Sequence, residues 1–338
     1  MWNPIWFVLL AACALRTSEA VKFKILHFND FHSRIEADGE WHGYCHDYEL
    51  KEGKCTGGLA RMKTFIEWEK EKEEPVLVLN AGDDFIGTLW DHHYKGKAAA
   101  HFMNQLGIDV VTLGNHDFDY GPDVLVEYVK HLEFPVLSAN LEANGHELGD
   151  YVKPYVIKEI NGVKVGICGV TTQGTQDYSN PSPVKFKSTH DGAQSCAEEL
   201  TKKNVGIIIL LSHSGFNADR FHAKLVPHID MVVGGHSHAF LWTSSWGEPP
   251  AITRSGGYPV KDHVWGDYPT WESSEIHDGK RIPVVQAGWA TRYIGKAVVE
   301  FDDEGHLTSF EGQPFLLGDS PSDSPVPENK AMKKDIER

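Results

Sequence analysis

Asn115, His116, Asp117 and Asp119 crowd into one short stretch, Thr112 to Gly121, at the end of the apolar run Val110-Val111-Thr112-Leu113. The amide oxygen of Asn115 can bind a hard cation. His116 is a candidate general acid or electrostatic stabiliser. Asp119, three residues on, can fold back on the imidazole and fix its tautomer and charge. An Asn/Asp-rich turn that bonds its own backbone has the same composition, so the other strand ends decide. Phe23–Phe28 runs into Asn29-Asp30-Phe31-His32, and Val76–Leu79 into Asn80-Ala81-Gly82-Asp83. Val205–Leu211 runs into Ser212-His213, and Met231–Val233 into Gly234-Gly235-His236-Ser237-His238. Asp30 and His32, like His236 and His238, are two apart, which puts a pair on one side of an extended backbone. The donors Asp30, His32, Asp83, Asn115, His213, His236 and His238 are hard oxygen plus imidazole, without thiolate. That set suits Zn²⁺, Mn²⁺ or Fe²⁺. It exceeds what one tetrahedral ion needs. Two ions sharing a bridging carboxylate would use it all, and such pairs stabilise the attacking and leaving oxygens of phosphate ester hydrolysis.

The donors meet only if the strands end at one edge. In open α/β sheets ligands sit just beyond the carboxyl ends of strands, and here the apolar runs alternate with helical patterns. Gly57-Gly58 opens a helix with Leu59, Met62, Phe65 and Ile66 on one face. Further helices are expected around Ala98–Leu106, over 122–132 with Pro122 in its first turn, over 191–203 and near 217–226. Asn161-Gly162 predicts a hairpin over 154–168, and Asp302-Asp303-Glu304-Gly305 a second turn between late strands. The charged run Glu67 to Glu74 reads as a solvated helix end. Residues 36–56 read as a polar loop. The insertion 240–282, with Trp242, Trp246, Trp265 and Trp271, reads as an active-site rim or a packing flap.

With 338 residues and 41% apolar composition the chain can bury a sizeable core. Its formal net charge of −16, without a basic run, argues against a nucleic-acid surface. A phosphorylated substrate would then need a local positive centre, for which metal ions are the obvious source. Residues 1–20 read as a signal peptide: an apolar stretch Ile5–Leu15 too short to span a bilayer, then Ser18-Glu19-Ala20 as a small-x-small cleavage site. A secreted, extracellular product without a membrane anchor in this chain is expected. Asn180-Pro181-Ser182 has Pro at its centre, so N-glycosylation is not expected there. Cys45 and Cys55 flank a polar loop and are expected to form a disulfide in an oxidising compartment. Cys168 and Cys196 are either bridged or two buried thiols. From Gly318 the composition turns Ser/Pro/Asp-rich, a linker signature, with a possible helix beginning at the end.

Asn-Asp-x-His, Gly-Asp-x-x-x-Gly, Gly-Asn-His-Asp-Phe-Asp, Ser-His-Ser-Gly and Gly-Gly-His-Ser-His occur in this order. Together they resemble the calcineurin-like metallophosphoesterases, and within them the 5′-nucleotidase/apyrase family. The likeness runs over nearly all of 22–330, including Tyr-Lys-Gly (94–96), His-Phe-Met-Asn (101–104), Leu-Ser-Ala-Asn (137–140) and Val-Val-Gln-Ala (284–287). The resemblance implies a four-layer α/β/β/α sandwich with metal ligands at the C-terminal ends of strands. It implies a catalytic domain over 21–317 and a linker over 318–338, after which relatives continue into a nucleotide-binding domain that this sequence does not include. Asp30, His32 and His238 would hold one ion, Asn115, His213 and His236 the other, and Asp83 would bridge them. His116 and Asp119 would be the catalytic pair, Arg34 and Asn115 would contact substrate, and a metal-bound water would attack. The implied cofactor is two divalent ions, Zn²⁺ foremost, with Mn²⁺ an alternative. The implied substrate is a nucleotide or small phosphate ester. A secreted binding protein with little turnover is the competing reading, but it would have no use for His116 and Asp119. The preferred nucleotide and the oligomeric state stay open.

Overall fold

The computed structural model describes residues 20–338 except 40, 42, 251, 254–258, 261, 277–278 and 319–324. The signal peptide expected over 1–20 lies outside the described residues apart from Ala20.

Two sheets carry the chain. Their strands are β1 (Val21–Phe28), β2 (Val76–Asn80), β3 (Val110–Thr112), β4 (Val136–Leu137), β5 (Val152–Lys153), β6 (Tyr155–Ile160), β7 (Val163–Thr171), β8 (Ile207–His213), β9 (Met231–Gly234), β10 (Thr270–Ser273), β11 (Arg281–Val285), β12 (Tyr293–Phe301) and β13 (Leu307–Leu316). The first sheet has the order β13-β12-β1-β2-β3-β4-β5 and the second β10-β11-β9-β8-β7-β6. β1 to β5 run parallel, as do β7, β8, β9 and β11. The β6–β7 hairpin turns at Asn161-Gly162, both at positive φ as a two-residue primed turn requires.

Alternation in β2 builds the layers. Leu77 and Leu79 pack in the core shared with Ile167 and Leu210 of the second sheet, while Val78 turns to a separate core with the helices. That second core is closed by α1 (Leu59–Lys70), α2 (Leu89–Tyr94), α3 (Lys97–Leu106) and α4 (Pro122–Lys130). α5 (Thr189–Lys202) and α6 (Phe216–Leu225) cover the outer face of the second sheet through Ala193, Ala197, Leu200 and Ala223. The result is the α/β/β/α sandwich. Each fully buried Leu, Ile or Phe contributes about 1.5–3 kcal/mol, so the sheet interior is a rigid base for the loops at its edge.

Both cysteine pairs, Cys45–Cys55 and Cys168–Cys196, are disulfides. The loop over 36–56 also contains a short helix, Asp47–Lys51. The charged run at the end of α1 is not wholly solvated. Glu69 is buried and pairs with Lys24 (3.4 Å) and Lys296 (3.2 Å), which reach it from β1 and β12. In the insertion, Trp242 packs on Phe240, and Trp271 meets Phe310 of β13. The last helix, α7 (Lys330–Ile336), is capped by the Asn329 side chain and buries Met332 against the α1 side of the core. Among the described residues no helix is long and apolar enough to cross a membrane.

Candidate active site

The donors sit where parallel strands stop: Asp30 and His32 after β1, Asp83 after β2, Asn115 and His116 after β3, His213 at the end of β8, His236 and His238 after β9. Two groups form. Asp30, His32 and His238 each bring a ligand atom within 4.8 Å of the others, and so do Asp83, His213 and His236. Asp83 lies between the groups, its Oδ2 3.1 Å from His213 Nε2 and 3.9 Å from His32 Nε2. Asn115 is buried, and its Oδ1 has no hydrogen-bond partner.

The backbone is bent to achieve this. Asp30 (φ 50), His32 (49), Asp83 (60), His236 (73) and His238 (53) are all in the left-handed region. Such a conformation costs an L-residue roughly 1–3 kcal/mol and persists only where surroundings over-determine it. Asp30 and His32 therefore do not meet through the alternation of an extended strand. Backbone bonds from Asp30 N–H to Gly82 O and from His32 N–H to Asp83 O, each 2.9 Å, hold the bent chain against the neighbouring loop. Gly114 is needed for close approach, since a Cβ there would stand 2.1 Å from Asp83 Oδ1.

Neighbouring groups aim the donors. His213 Nδ1 is 2.6 Å from Ala81 O and His32 Nδ1 is 3.0 Å from Ile86 O. A carbonyl only accepts, so each Nδ1 carries a proton and each Nε2 turns to the centre. Asn29 donates to Asp30 Oδ2 and to Gly288 O, both at 2.6 Å. Gln286 accepts from Ser237 Oγ at 2.8 Å and donates to Gly235 O at 2.8 Å, bracing the loop that carries His236 and His238.

The donor set fits a pair of cations. His32 Nε2 and His238 Nε2 are 3.2 Å apart, with Asp30 Oδ1 3.3 Å from the latter. Bonds of about 2.1 Å to a tetrahedral ion place ligand atoms about 3.4 Å apart. Burial alone would depress His213, but Asp83 and Asp30 outweigh it and lift its pKa to about 10. Burial likewise opposes ionisation of Asp83, yet His213, His32 and His116 hold it below the usual carboxylate range. Without a cation, a proton on His213 balances the buried carboxylates. A divalent ion meets the same need with more charge. Burial and the His213 charge push His236 down to about 4, which keeps it neutral as a ligand must be.

His116 stands beside this centre, its ring 5.4 Å from that of His32. Its Nδ1 is 2.7 Å from Asp119 Oδ2, and this hydrogen bond, against burial, raises its pKa. Asp119 is held in turn by Ser179 Oγ–H and by Asn180 Nδ2, which donates to Asp119 O at 3.0 Å. Arg34 sits at the rim, donating to Asp38 Oδ1 at 2.9 Å, with its guanidinium 5.9 Å over the Trp289 ring.

Several of these residues escape sequence reasoning. Trp289 stacks flat on His238 at 5.0 Å, from a loop with no strand-end signal. Ser179 lies 60 positions from Asp119, and nothing in its local pattern marks it. Asp117 accepts the backbone N–H groups of Asp84 (2.8 Å), Phe85 (3.2 Å) and Gly114 (2.7 Å). It ties the Asp83 turn to the Asn115 turn, although its spacing alone reads as one more turn residue.

Residues 23–240 match the family described as Calcineurin-like phosphoesterase. The chain is 38% identical over 341 residues to the 5'-nucleotidase of Mus musculus, covering 98% of this chain and 55% of that protein. It is 39% identical over 319 residues to the snake venom 5'-nucleotidase of Naja atra, covering 93% of this chain and 56% of that one. The solved structure of a 5'-nucleotidase precursor from Thermus thermophilus superposes with a TM-score of 0.80 at 32% identity, over 93% of this chain and 57% of that chain. The chain thus spans about half the length of the curated relatives it matches. A family match across most of both sheets, on the strand ends that carry the donor groups, shows that this chain belongs to the calcineurin-like phosphoesterase family.

Proposed function

We propose that the chain is a metal-dependent phosphohydrolase acting on nucleotides, of the 5′-nucleotidase or apyrase kind. The observation that carries this is the pairing of two three-residue donor groups around Asp83 with a histidine–carboxylate pair beside them. Asp30, His32 and His238 would hold one divalent ion, and Asn115, His213 and His236 the other, with Asp83 shared. When bound, two such ions supply Lewis acidity and positive charge for the phosphoryl oxygens and an activated water. Asp119 accepts the His116 Nδ1–H and favours the imidazolium, whose Nε2–H would face charge developing on the phosphoryl group or leaving oxygen. Arg34, held by Asp38 and Trp289, would meet a phosphate oxygen at the rim. The donors, oxygen and imidazole, suit Zn²⁺ or Mn²⁺.

The two disulfides support an oxidising compartment, and with it the secreted reading. The test is release of inorganic phosphate from AMP, ADP, ATP and glycerol phosphate with and without added Zn²⁺ or Mn²⁺. Metal-dependent release from at least one nucleotide is expected. No release from any ester under saturating metal would end the proposal.

A further inference from the structure

The Trp-rich insertion reaches the site through a carboxylate rather than through its tryptophans. Trp246 lines a separate groove with Tyr268, Lys296 and Phe310. Asp262 instead extends to the turn that follows β11. Arg292 Nη1 donates to Asp262 Oδ1 and Oδ2, each at 2.7 Å, and the Tyr293 hydroxyl donates to Oδ2 at 2.8 Å. Arg292 is buried, and so is Tyr293, which stacks on Phe240 at 4.4 Å.

The same turn grips Arg34. The Trp289 ring faces the Arg34 guanidinium, and Thr291 Oγ1 donates to Arg34 O at 3.4 Å. Arg292 N–H closes the turn on Trp289 O at 3.3 Å. Ala290 (φ 57) and Thr291 (φ 56) are both left-handed, a shape that persists only where its surroundings enforce it. The Asp262–Arg292 pair is one of those restraints.

Two arginines share the neighbourhood of one buried carboxylate. Asp38 accepts from Arg34 at 2.9 Å. Its backbone is fixed by a pair of bonds with Thr56, at 2.8 and 2.9 Å, so the carboxylate keeps its place. Burial pushes the Asp38 carboxyl up, against the pull of Arg34 and then of Arg292. Arg292 therefore competes for Asp38 unless another anion holds it. Asp262 holds it with both oxygens, in charge-assisted bonds.

We propose that Asp262 is a positioning residue for Arg34: by holding Arg292 it reserves the Asp38 carboxylate for Arg34 and keeps that guanidinium aimed at the substrate phosphate. The inference rests on the phosphohydrolase reading above for the phosphate, and adds a control over Arg34 that comes from the insertion. Asp262 itself belongs to neither donor group.

Asp262→Asn keeps the shape of the side chain and removes its charge. Arg292 then turns to Asp38, and Arg34 loses its counter-ion. For AMP and glycerol phosphate alike, KM should rise about three- to thirtyfold, part of what a charge-assisted bond to phosphate is worth, with kcat nearly unchanged. Asp262→Asn/Arg292→Gln removes the competing cation as well and should return KM close to wild type. In an Arg34→Ala background Asp262→Asn should add nothing, because both changes act through one group. A readout without turnover is the rate at which phenylglyoxal modifies Arg34 in metal-free protein, followed by peptide mass spectrometry. That rate should rise in Asp262→Asn and fall back in the double variant. Asp262→Glu shifts the carboxylate without removing it, should move both readouts only part of the way, and carries the test if the neutral variant does not fold. KM losses that add in the Arg34→Ala background, or Arg34 modification that ignores Asp262, would overturn the inference. Wild-type protein that hydrolyses neither ester, while Arg34 modification responds as stated, would instead sink the phosphohydrolase reading and leave the positioning of Arg34 standing.

Discussion

The backbone N–H of His116 donates to Asp83 Oδ1 at 2.8 Å, while Asp83 Oδ2 points to His213 Nε2 at 3.1 Å. One carboxylate therefore serves both the donor groups and the turn that carries the general-acid candidate. A cation held by Asp83 would therefore act on the placement of His116 through the same carboxylate.

Loss of that carboxylate should be felt at both ions. Asp83→Ala is expected to abolish binding of two equivalents, whereas Asn115→Ala should weaken mainly one. Elemental analysis of metal-saturated, desalted protein reads this directly. Two tightly held equivalents in Asp83→Ala would refute the bridging role.

His116 is not placed as a ligand. His116→Ala should keep two equivalents of metal and lower kcat by on the order of 10²–10⁴-fold, the range for a positioned acid or charge stabiliser. Asp119→Asn should give a smaller loss, because the ring stays but its tautomer and orientation are no longer enforced. Near wild-type turnover in His116→Ala would remove it from the chemistry.

The strand ends were legible because buried parallel strands are apolar runs, and a carboxylate or imidazole straight after such a run stands out. The pairing of Asp30 with His32 was legible for the wrong reason. Two-residue spacing suggests an extended backbone, but both are left-handed, which spacing cannot reveal. Trp289 and Ser179 were not legible, since each acts on a partner far away in sequence. Glu69 looked like part of a solvated run because its partners Lys24 and Lys296 come from strands that only the fold brings near.

His222 predicts a pH effect on stability. It is buried on α6, and burial, then the neighbouring His190, push it down to about 4. His190 is the titratable group facing it, 6.4 Å away between ring centroids, and Thr189 Oγ is 3.1 Å from its Nε2. An unfolded His titrates near 6.5. The unfolded state therefore takes up this proton first as the pH falls. The stability contributed is fully present above about pH 6.5 and is lost as the pH drops to about 4, by an amount on the order of 3 kcal/mol. His222→Gln cannot titrate, so its unfolding free energy should fall less steeply between pH 6.5 and 4. Urea unfolding at several pH values across that window gives the two slopes, and equal slopes would exclude the buried neutral His as a source.

Trp289 makes the last test, because it touches two of the proposed ligands without being one. Its ring lies flat on His238 at 5.0 Å and 5° and meets His32 edge-on at 6.3 Å. Its contact with the Arg34 guanidinium adds a cation–π attraction worth roughly 0.5–2 kcal/mol. His238 has a side chain 38% exposed, so little else restrains that ring on its open side. Trp289→Ala should free both His238 and Arg34. Groups that orient ligands typically change metal affinity 10–100-fold, and the loss should fall on the ion held by Asp30, His32 and His238. The ion held by His213 and His236 should keep its affinity, since those rings pack on each other at 5.2 Å and away from Trp289. A chelator competition titration resolves the two steps. Trp289→Phe keeps a flat ring beside His238 and should restore most of the first-step affinity. If both steps weaken together, or Phe fails to rescue, Trp289 is a general packing residue and the first ion is not oriented through it.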